Sequence, residues 1–394
     1  MLKLNFDCRD LFKAPRAALS LQRLWIQLTG MSVGYLAYLV LSYASLLAAG
    51  YELKSAWSQF GLLPCLFSIG DTFPWFSWLI AGVGSLFFFF AYLVTNTAVA
   101  RAIYMTSKGN SFYTWKEAVA FSFRKLWSIL LTPISMIVLI GLMLVGAWIV
   151  GLLGKIPAVG EIGVSLFSIV WLMSSLLILF FAIVAAVATL LLPAVLATTD
   201  EDAFEAIFQS FSIVWGQPIR FIFYEALNVV IAVVAMGIFA IFLKEALALM
   251  NMLFTSFMGG DYANLANNGQ ALLQSWTLQA QSIVSNIYHE CAHYIYFSRD
   301  FIMIPPAGLS STVRIASFIF ALNLLILAGT VVSYGVSTFT AGNTLAFMVF
   351  KFNKDEENLL ERQDAEEETE EDDQLETSDA PAADNNAGGQ EGDE

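Results

Sequence analysis

Charged residues, histidine and cysteine are scarce in this chain of 394 residues. Only 13% of its side chains are charged, against about a quarter in an ordinary soluble domain. Its three cysteines, Cys8, Cys65 and Cys291, are too few and too scattered for a disulfide framework or a cysteine-built metal site. A glycine-rich phosphate loop, a serine-histidine-acid triad and a basic stripe are also missing. These absences argue against phosphate-loop and triad chemistry and against a nucleic-acid partner.

Long apolar runs take the place of charge. Six of them are about 20 to 30 residues long, enough to cross a hydrocarbon layer of roughly 30 Å at about 1.5 Å per helical residue. The predicted fold is therefore an all-α integral membrane protein with six transmembrane helices in a lipid bilayer. The predicted spans are 28–49, 75–100, 127–153, 164–192, 221–243 and 315–336. Gly342 and Asn343 interrupt the apolar stretch after the sixth run, so 337–350 either extends that helix or forms a separate interfacial piece.

Lysine and arginine predict the orientation, because they resist translocation when they lie in short loops. With the N-terminus inside, 14 of the 19 basic residues lie in cytoplasmic segments. Both termini are therefore expected in the cytoplasm, and a bacterial inner membrane is the expected location. The first run follows a mixed stretch without a cleavable signal pattern, so it is expected to remain as an anchor.

The predicted organisation has three parts. A cytoplasmic N-terminal segment, 1–27, precedes a membrane domain, 28–350, and a cytoplasmic tail, 351–394. The membrane domain includes an outer helical segment at 244–312. Within that segment we predict turns at 259–261 and 264–269 and a surface-lying helix at 272–297.

The C-terminal tail carries most of the negative charge. From Asp355 onward the chain has 18 of its 33 acidic residues and a single base, Arg362. Such a segment cannot bury enough apolar surface to offset the entropy cost of ordering, so it is predicted to be disordered. It is interpreted as a solubilising tail or as a docking site for a basic partner protein.

Two cytoplasmic connectors resemble each other in sequence. Residues 117–127 align with 205–215, and five of the eleven positions are identical. The alignment predicts a parallel internal hairpin repeat whose amphipathic connectors lie on the inner leaflet. Each connector is either a structural elbow or a surface that recruits a partner protein or a lipid headgroup. The connector residues singled out are Glu117, Ser122, Trp127, Glu205, Ser210 and Trp215.

The second connector carries a further pattern. A Glu-Ala pair, a serine five residues after that glutamate and the preceding Pro193 at the end of a span occur together between Leu192 and Ser210. This pattern resembles several bacterial multipass families, including the membrane domain associated with some glycerophosphodiester phosphodiesterases. The resemblance covers about residues 101–225 and implies kinship of fold. It implies no phosphodiesterase activity, because the chain contains no soluble phosphodiesterase domain.

Both histidines fall in one motif, His289-Glu290-Cys291-Ala292-His293. In the HExxH pattern two imidazoles bind zinc from one helical face and the glutamate activates a metal-bound water. Tyr296 and Arg299 exclude the metzincin continuation. The motif therefore indicates a zinc metallopeptidase with Glu290 as its catalytic residue, a non-catalytic metal site, or a chance match that needs no cofactor, and the last is favoured. Candidate third ligands are Asp71, Glu161, Glu245 and Asp261.

A few polar residues lie within the predicted spans. Glu225 has Asn228 on its helical face, and Asn96 and Asn323 can meet it from the second and sixth spans. Ionisable groups in a bilayer are costly and are usually functional, so these residues indicate a polar path for a proton or small solute. The alternative is a set of interhelical hydrogen bonds, each worth about 0.6 kcal/mol. The expected function is a non-enzymatic scaffold or accessory subunit of a membrane assembly, with transporter-like and metallopeptidase roles as alternatives.

Overall fold

A computed structural model describes residues 4–64, 73–157, 159–277 and 310–362. These residues contain no β-strand. After a short 3₁₀ helix (Cys8–Lys13), the helices in chain order are α1 (Ala14–Ala18), α2 (Leu21–Ala48), α3 (Leu53–Phe60), α4 (Trp75–Lys108), α5 (Trp115–Arg124), α6 (Leu126–Leu153), α7 (Val159–Leu166), α8 (Ser168–Thr199), α9 (Ala203–Gly216), α10 (Pro218–Met258), α11 (Gly260–Trp276) and α12 (Ser311–Asp355).

Six of the described helices are long and apolar enough to cross a membrane. They are α2, α4, α6, α8, α10 and α12. Each corresponds to one of the six apolar runs, which confirms the prediction of an all-α multipass membrane protein. Successive spanning helices run in opposite directions, so the shorter helices gather at the two ends of the bundle. We call the end that carries α5 and α9 the elbow end, and the end that carries α3, α7 and α11 the opposite end.

The spanning helices extend beyond the apolar runs that predict them. α4 continues to Lys108 and ends at Gly109, whose φ is 113°, and α10 continues to Met258 and ends at Gly259, whose φ is 60°. Glycine adopts positive φ without the steric cost that a Cβ imposes, so it is a common helix terminator. Loss of apolar character does not end a helix, because the backbone hydrogen bonds continue in either environment.

The structure of α12 shows that 337–350 extends the sixth helix and is not a separate interfacial piece. α12 runs unbroken through Gly342 and Asn343 as one helix of 45 residues. At about 1.5 Å per residue it is roughly 67 Å long, more than twice the thickness of the hydrocarbon layer. Its ends therefore project beyond the layer.

The outer segment differs from its prediction at the asparagine and glycine cluster. Residues 264–269 lie inside α11 and form no turn. The side-chain amide of Asn268 donates to the Asn264 carbonyl at 2.7 Å within the helix. A Cβ on Gly269 would lie 2.7 Å from the ring of Phe320, so glycine permits α11 to approach α12 closely. Packing thus overrides the local turn propensity. The remainder of the predicted outer helix, 278–297, lies outside the described residues.

The larger of two hydrophobic cores lies in the elbow-end half of the bundle. α12 packs against α2, α4, α8 and α10, and nearly every side chain in 333–350 of α12 is buried, as are most in 93–105 of α4 and 187–199 of α8. By contrast, Leu142 and Trp148 on the outer half of α6 are exposed. Apolar side chains exposed in this way along a spanning helix are those that contact lipid.

Small residues bring α2 and α4 together. A Cβ on Gly34 would lie 2.7 Å from the Cβ of Ala91, and one on Gly30 would overlap the side chain of Thr95. Gly30 and Gly34 are four residues apart on one face of α2, the spacing of the GxxxG packing motif of membrane helices. The α2–α4 contact therefore depends on the absence of side chains at these two positions.

The N-terminal segment folds back onto the elbow end. The rings of Phe6 and Phe352 stack with centroids 3.7 Å apart, and the Tyr334 hydroxyl donates to the Pro15 carbonyl at 3.2 Å. The buried carboxylate of Asp10 pairs with Lys13 of the same short helix and accepts backbone N–H groups, so its charge is satisfied locally. Residues 4–18 are thus part of the packed bundle.

Residues 356–362, which follow α12, dock at the same end. Leu359 and Leu360 are buried, and the Tyr104 hydroxyl of α4 donates to the Leu359 carbonyl at 2.7 Å. Arg362 forms an ion pair with Glu201, which lies between α8 and α9, at 2.9 Å. These contacts fix the position at which the chain leaves the bundle. The acidic tail beyond Arg362 lies outside the described residues.

Candidate polar site within the helix bundle

Polar side chains of α10 and α12 meet inside the bundle. Asn228 is completely buried, and its amide nitrogen donates to the Phe339 carbonyl at 3.0 Å and to the side chain of Asn343. Glu225, one turn earlier on α10, places its two carboxylate oxygens 3.2 and 3.3 Å from the Asn343 amide group. The side chains of Glu225, Asn228 and Asn343 therefore form one connected cluster between the fifth and sixth spanning helices.

The Asn343 amide has two orientations, and each suits a different protonation state of Glu225. With its oxygen towards Glu225, two acceptors face each other unless the carboxyl group carries a proton and donates it to Oδ1. With its nitrogen towards Glu225, Nδ2 donates to both oxygens of an ionised carboxylate. That half-turn also places the Asn343 nitrogen against the Asn228 nitrogen, so the contact with an ionised Glu225 competes with the hydrogen bond from Asn228 for the orientation of one amide.

A cavity of about 170 Å³ lies beside this cluster, between α4, α8 and α12. Most of its walls are apolar, and its polar lining includes Asn96, Thr340 and Asn343. The Thr340 hydroxyl donates to Oδ1 of Asn96 at 3.2 Å. Because Asn343 both lines the cavity and contacts Glu225, it connects the cavity to the carboxylate.

Pro193 interrupts the hydrogen-bond pattern of α8 at the wall of the cavity. Proline has no backbone N–H, so the carbonyl of Thr189, four residues earlier, has no helical donor. Both residues line the cavity. The Asn343 nitrogen lies 3.5 Å from the carbonyl of Leu190 when the amide oxygen faces Glu225. A proline-freed carbonyl is tolerated in a spanning helix where it is buried in protein or lines a cavity.

Gly342 makes room for this arrangement. A Cβ built on Gly342 would overlap the side chain of Asn228. The cluster therefore requires glycine next to Asn343, and the Gly-Asn pair that interrupts the apolar pattern of the sequence is a helix–helix contact.

We expect Gly342→Ala to displace Asn228 and to lower the stability of the protein by roughly 1–3 kcal/mol, the usual cost of overpacking. In an ordinary helix interior the same change stabilises by about 0.5–1 kcal/mol. Gly237→Ala on α10 is the matched control, because a Cβ there meets open space. Thermal unfolding of the detergent-purified variants measures the difference. An unchanged midpoint for Gly342→Ala would show that Asn228 relaxes at no cost.

The predicted set of polar residues is only partly brought together. Asn228 and Glu225 lie in one cluster, and Asn96 joins it through the cavity. Asn323 does not, because it lies on an exposed face of α12, about 30 Å along the helix from Asn343. Asn343 supplies the amide that we expected from Asn323. The sequence signal was present, since Asn343 interrupts an apolar run, but it was interpreted only as a point after which 337–350 either extends the sixth helix or forms a separate interfacial piece.

A buried arginine near the elbow end was missed by the sequence analysis. The side chain of Arg101 on α4 is completely buried, donates to the Ala197 carbonyl at 2.9 Å and lies 4.3 Å from the ring centroid of Phe121 on α5. Ala197 is in the last turn of α8, where carbonyls lack helical partners and the helix dipole attracts positive charge. Burial raises the pKa of the neighbouring Tyr113 hydroxyl, and Arg101 opposes that rise. Apolar residues on both sides of Arg101 are the signal that could have revealed it.

The connector residues have structural roles in both elbows. The Thr114 side chain accepts the backbone N–H of Glu117, and the Glu117 carboxylate accepts that of Thr114 at 2.7 Å, which forms a capping box at the start of α5. Glu205 occupies the corresponding position in α9 and accepts a hydrogen bond from Gln209. Glu117 therefore stabilises the start of α5, whereas Glu205 bonds within α9, whose start has no side-chain cap.

The aligned serine and tryptophan residues of the two elbows have similar exposure to solvent. Ser122 and Ser210 are buried and bond to carbonyls of their own helices. Trp127, at the start of α6, and Trp215, at the end of α9, are exposed, as expected of residues at a membrane–water interface. These features agree with structural elbows, and the internal duplication remains a prediction.

The HECAH motif, His289 to His293, lies outside the described residues, as does Asp71. The other candidate ligands, Glu161, Glu245 and Asp261, are exposed at the opposite end. Among the residues that the structure describes, no three His, Cys, Asp or Glu side chains form a group that could hold a metal ion. The zinc metallopeptidase therefore remains a hypothesis from sequence alone.

Comparison with known proteins identifies no relative. No family model, no curated protein and no solved structure matches the chain. The resemblance around residues 101–225 therefore remains an expectation, and function must be argued from the site.

Proposed function

We propose that this protein is transporter-like and moves a proton or a small solute through the polar cluster at Glu225. The observation that carries the proposal is the position of Asn343, which lines the cavity and contacts the Glu225 carboxylate. A carboxylate within a spanning helix is costly and is usually retained for function. Here one orientation of the Asn343 amide accepts from a protonated Glu225, and the other donates to its carboxylate at the expense of the hydrogen bond from Asn228.

The proposed setting is a bacterial inner membrane with both termini in the cytoplasm. At the elbow end, basic residues such as Lys108, Lys116 and Arg220 lie near the start or end of spanning helices. This is the distribution that the positive-inside rule associates with the cytoplasmic face.

Glu225→Gln is expected to reduce proton flux by at least about tenfold, because the amide cannot exchange a proton. The measurement uses proteoliposomes with a pH-sensitive dye inside, with proton entry driven by a potassium diffusion potential. Glu245→Gln, on an exposed position of the same helix, is the matched control and should leave the flux unchanged. Equal flux in wild type and Glu225→Gln, or no wild-type flux above that of empty liposomes, would refute proton movement through Glu225.

A scaffold or accessory subunit is the second candidate function. Its support is the docking of residues 356–362, which fixes the start of the acidic tail at the elbow end through Leu359 and the Arg362–Glu201 ion pair. A tail held at that point can present its acidic residues to a basic partner protein. This function needs no flux, so the Glu225→Gln measurement separates the two proposals.

A further inference from the structure

The cavity opens within the apolar part of the bundle. At its rim Phe89 is half-exposed and Ala186 is exposed, whereas Asn96, Ala194 and Asn343 are buried at its floor. In α4 and α8 the rim residues Phe89 and Ala186 lie farther from the elbow end than the floor residues Asn96 and Ala194 do. The cavity therefore becomes deeper towards the elbow end and opens towards the middle of the spanning helices.

The surface around the opening is apolar. Leu86 and Phe87 on α4 and Leu179 and Ile183 on α8 are exposed beside it. A ligand approaching this rim meets the surface that contacts lipid, so molecules that partition into the bilayer have access. A strongly hydrated solute would have to leave water before it reached the rim.

The floor selects for the chemistry of the polar group. Asn96, Thr340 and Asn343 offer hydrogen bonds, and the carboxylate of Glu225 lies directly behind Asn343. A hydroxyl or ammonium group can donate to the oxygen atoms of this floor, whereas a carboxylate cannot donate and is repelled by Glu225 whenever Glu225 is ionised.

We propose that the cavity binds a small amphiphile that enters sideways from the bilayer, with its apolar part between α4 and α8 and a hydroxyl or ammonium group on the Asn96–Thr340–Asn343 floor. The inference rests on the proposed function in that it names the class of solute. A volume of about 170 Å³ is close to the roughly 150 Å³ of an apolar cavity that accepts benzene, so one aromatic ring or a chain of similar volume fits.

Benzyl alcohol, benzylamine and benzoate test the inference, because they share a ring and differ in the charge of the polar group. Retention of each is measured by equilibrium dialysis against protein in lipid nanodiscs, with empty nanodiscs as the blank. We expect protein-dependent retention of benzyl alcohol and of benzylamine, which is protonated at neutral pH, each at least tenfold stronger than that of benzoate. Equal retention of all three, or retention no higher than the blank, would overturn the inference without the use of any variant.

Ala186→Phe fills the rim and is expected to weaken retention of benzyl alcohol and benzylamine at least tenfold. Ala182→Phe is the matched control, because Ala182 is exposed one turn away on α8 and does not line the cavity. Equal retention by the two variants would place the binding elsewhere and overturn the inference.

The outcomes for the inference and for the proposed function are distinguishable. Retention that Ala186→Phe abolishes, together with proton flux that is insensitive to Glu225→Gln, would keep the amphiphile site and refute proton movement through Glu225. Flux that depends on Glu225 without retention of either amphiphile would refute the amphiphile site alone.

Discussion

Gly30→Leu is expected to prevent α2 from packing against α4 and to remove most of the folded protein from a detergent extract. Even a Cβ at Gly30 overlaps the Thr95 side chain, and leucine adds three further carbon atoms at the same contact. Overpacking typically lowers the free energy of unfolding by about 1–3 kcal/mol. The cost of a clash between two helices that cannot separate locally should lie at or above the upper end of that range. The monodisperse fraction in size-exclusion chromatography measures the loss.

Gly82→Leu is the control for this prediction. Gly82 is exposed on α4, where an added Cβ meets open space, so leucine there should face lipid and leave the monodisperse fraction unchanged. A Gly30→Leu protein that elutes and unfolds like the wild type would contradict a close α2–α4 contact. Gly34→Leu repeats the test one turn along the same face, since a Cβ at Gly34 also approaches Ala91 within 2.7 Å.

The spanning helices were predictable because the bilayer imposes a simple rule. A backbone that crosses hydrocarbon must satisfy its hydrogen bonds internally, so each long apolar run predicts one helix. The rule says nothing about where a helix ends outside the hydrocarbon. That is why α10 continues to Met258 and α12 continues through Gly342 to Asp355, beyond the runs that predict them.

The composition of the polar site was less predictable than its existence. Glu225 and Asn228 share a helical face, and periodicity reveals such pairs. The partner from α12 depends on how far one helix is shifted along the other, and the apolar pattern does not specify that shift. In the structure the shift places Gly342 against Asn228, so Asn343 contacts Glu225 while Asn323 lies exposed on the same helix.

Competition between local turn propensity and helix packing explains the difference between the predicted and the observed structure of 264–269. The asparagine and glycine cluster at 264–269 favours a turn in isolation, but a glycine that lets α11 contact α12 stabilises the helix instead. The capping box of Thr114 and Glu117 could have been predicted from its spacing. It gives Glu117 a structural role, which weakens the case for a recruiting surface at that position.

Arg101→Met is expected to cost about 3 kcal/mol or more and to loosen the elbow end. Methionine keeps most of the aliphatic volume but loses the charged hydrogen bond to the Ala197 carbonyl, about 1.5–3 kcal/mol, and the contact over Phe121, about 1–2 kcal/mol when desolvated. It also leaves that carbonyl of α8 without its Arg101 donor in a buried site. Arg101→Lys should recover little of this stability. A lysine ammonium group lacks the planar guanidinium that stacks on Phe121 while its N–H groups donate to the Ala197 carbonyl.

Thermal unfolding and limited proteolysis at the α4–α5 and α8–α9 connections measure this effect. Arg220→Met, an exposed arginine at the same end of the bundle, should change neither. If Arg101→Met lowers the unfolding midpoint while proton flux in the surviving folded protein is retained, Arg101 is a positioning residue that joins α4, α5 and α8. If flux is lost without a change in midpoint, the buried guanidinium belongs to the transport path, and the polar site extends from Glu225 to the elbow end.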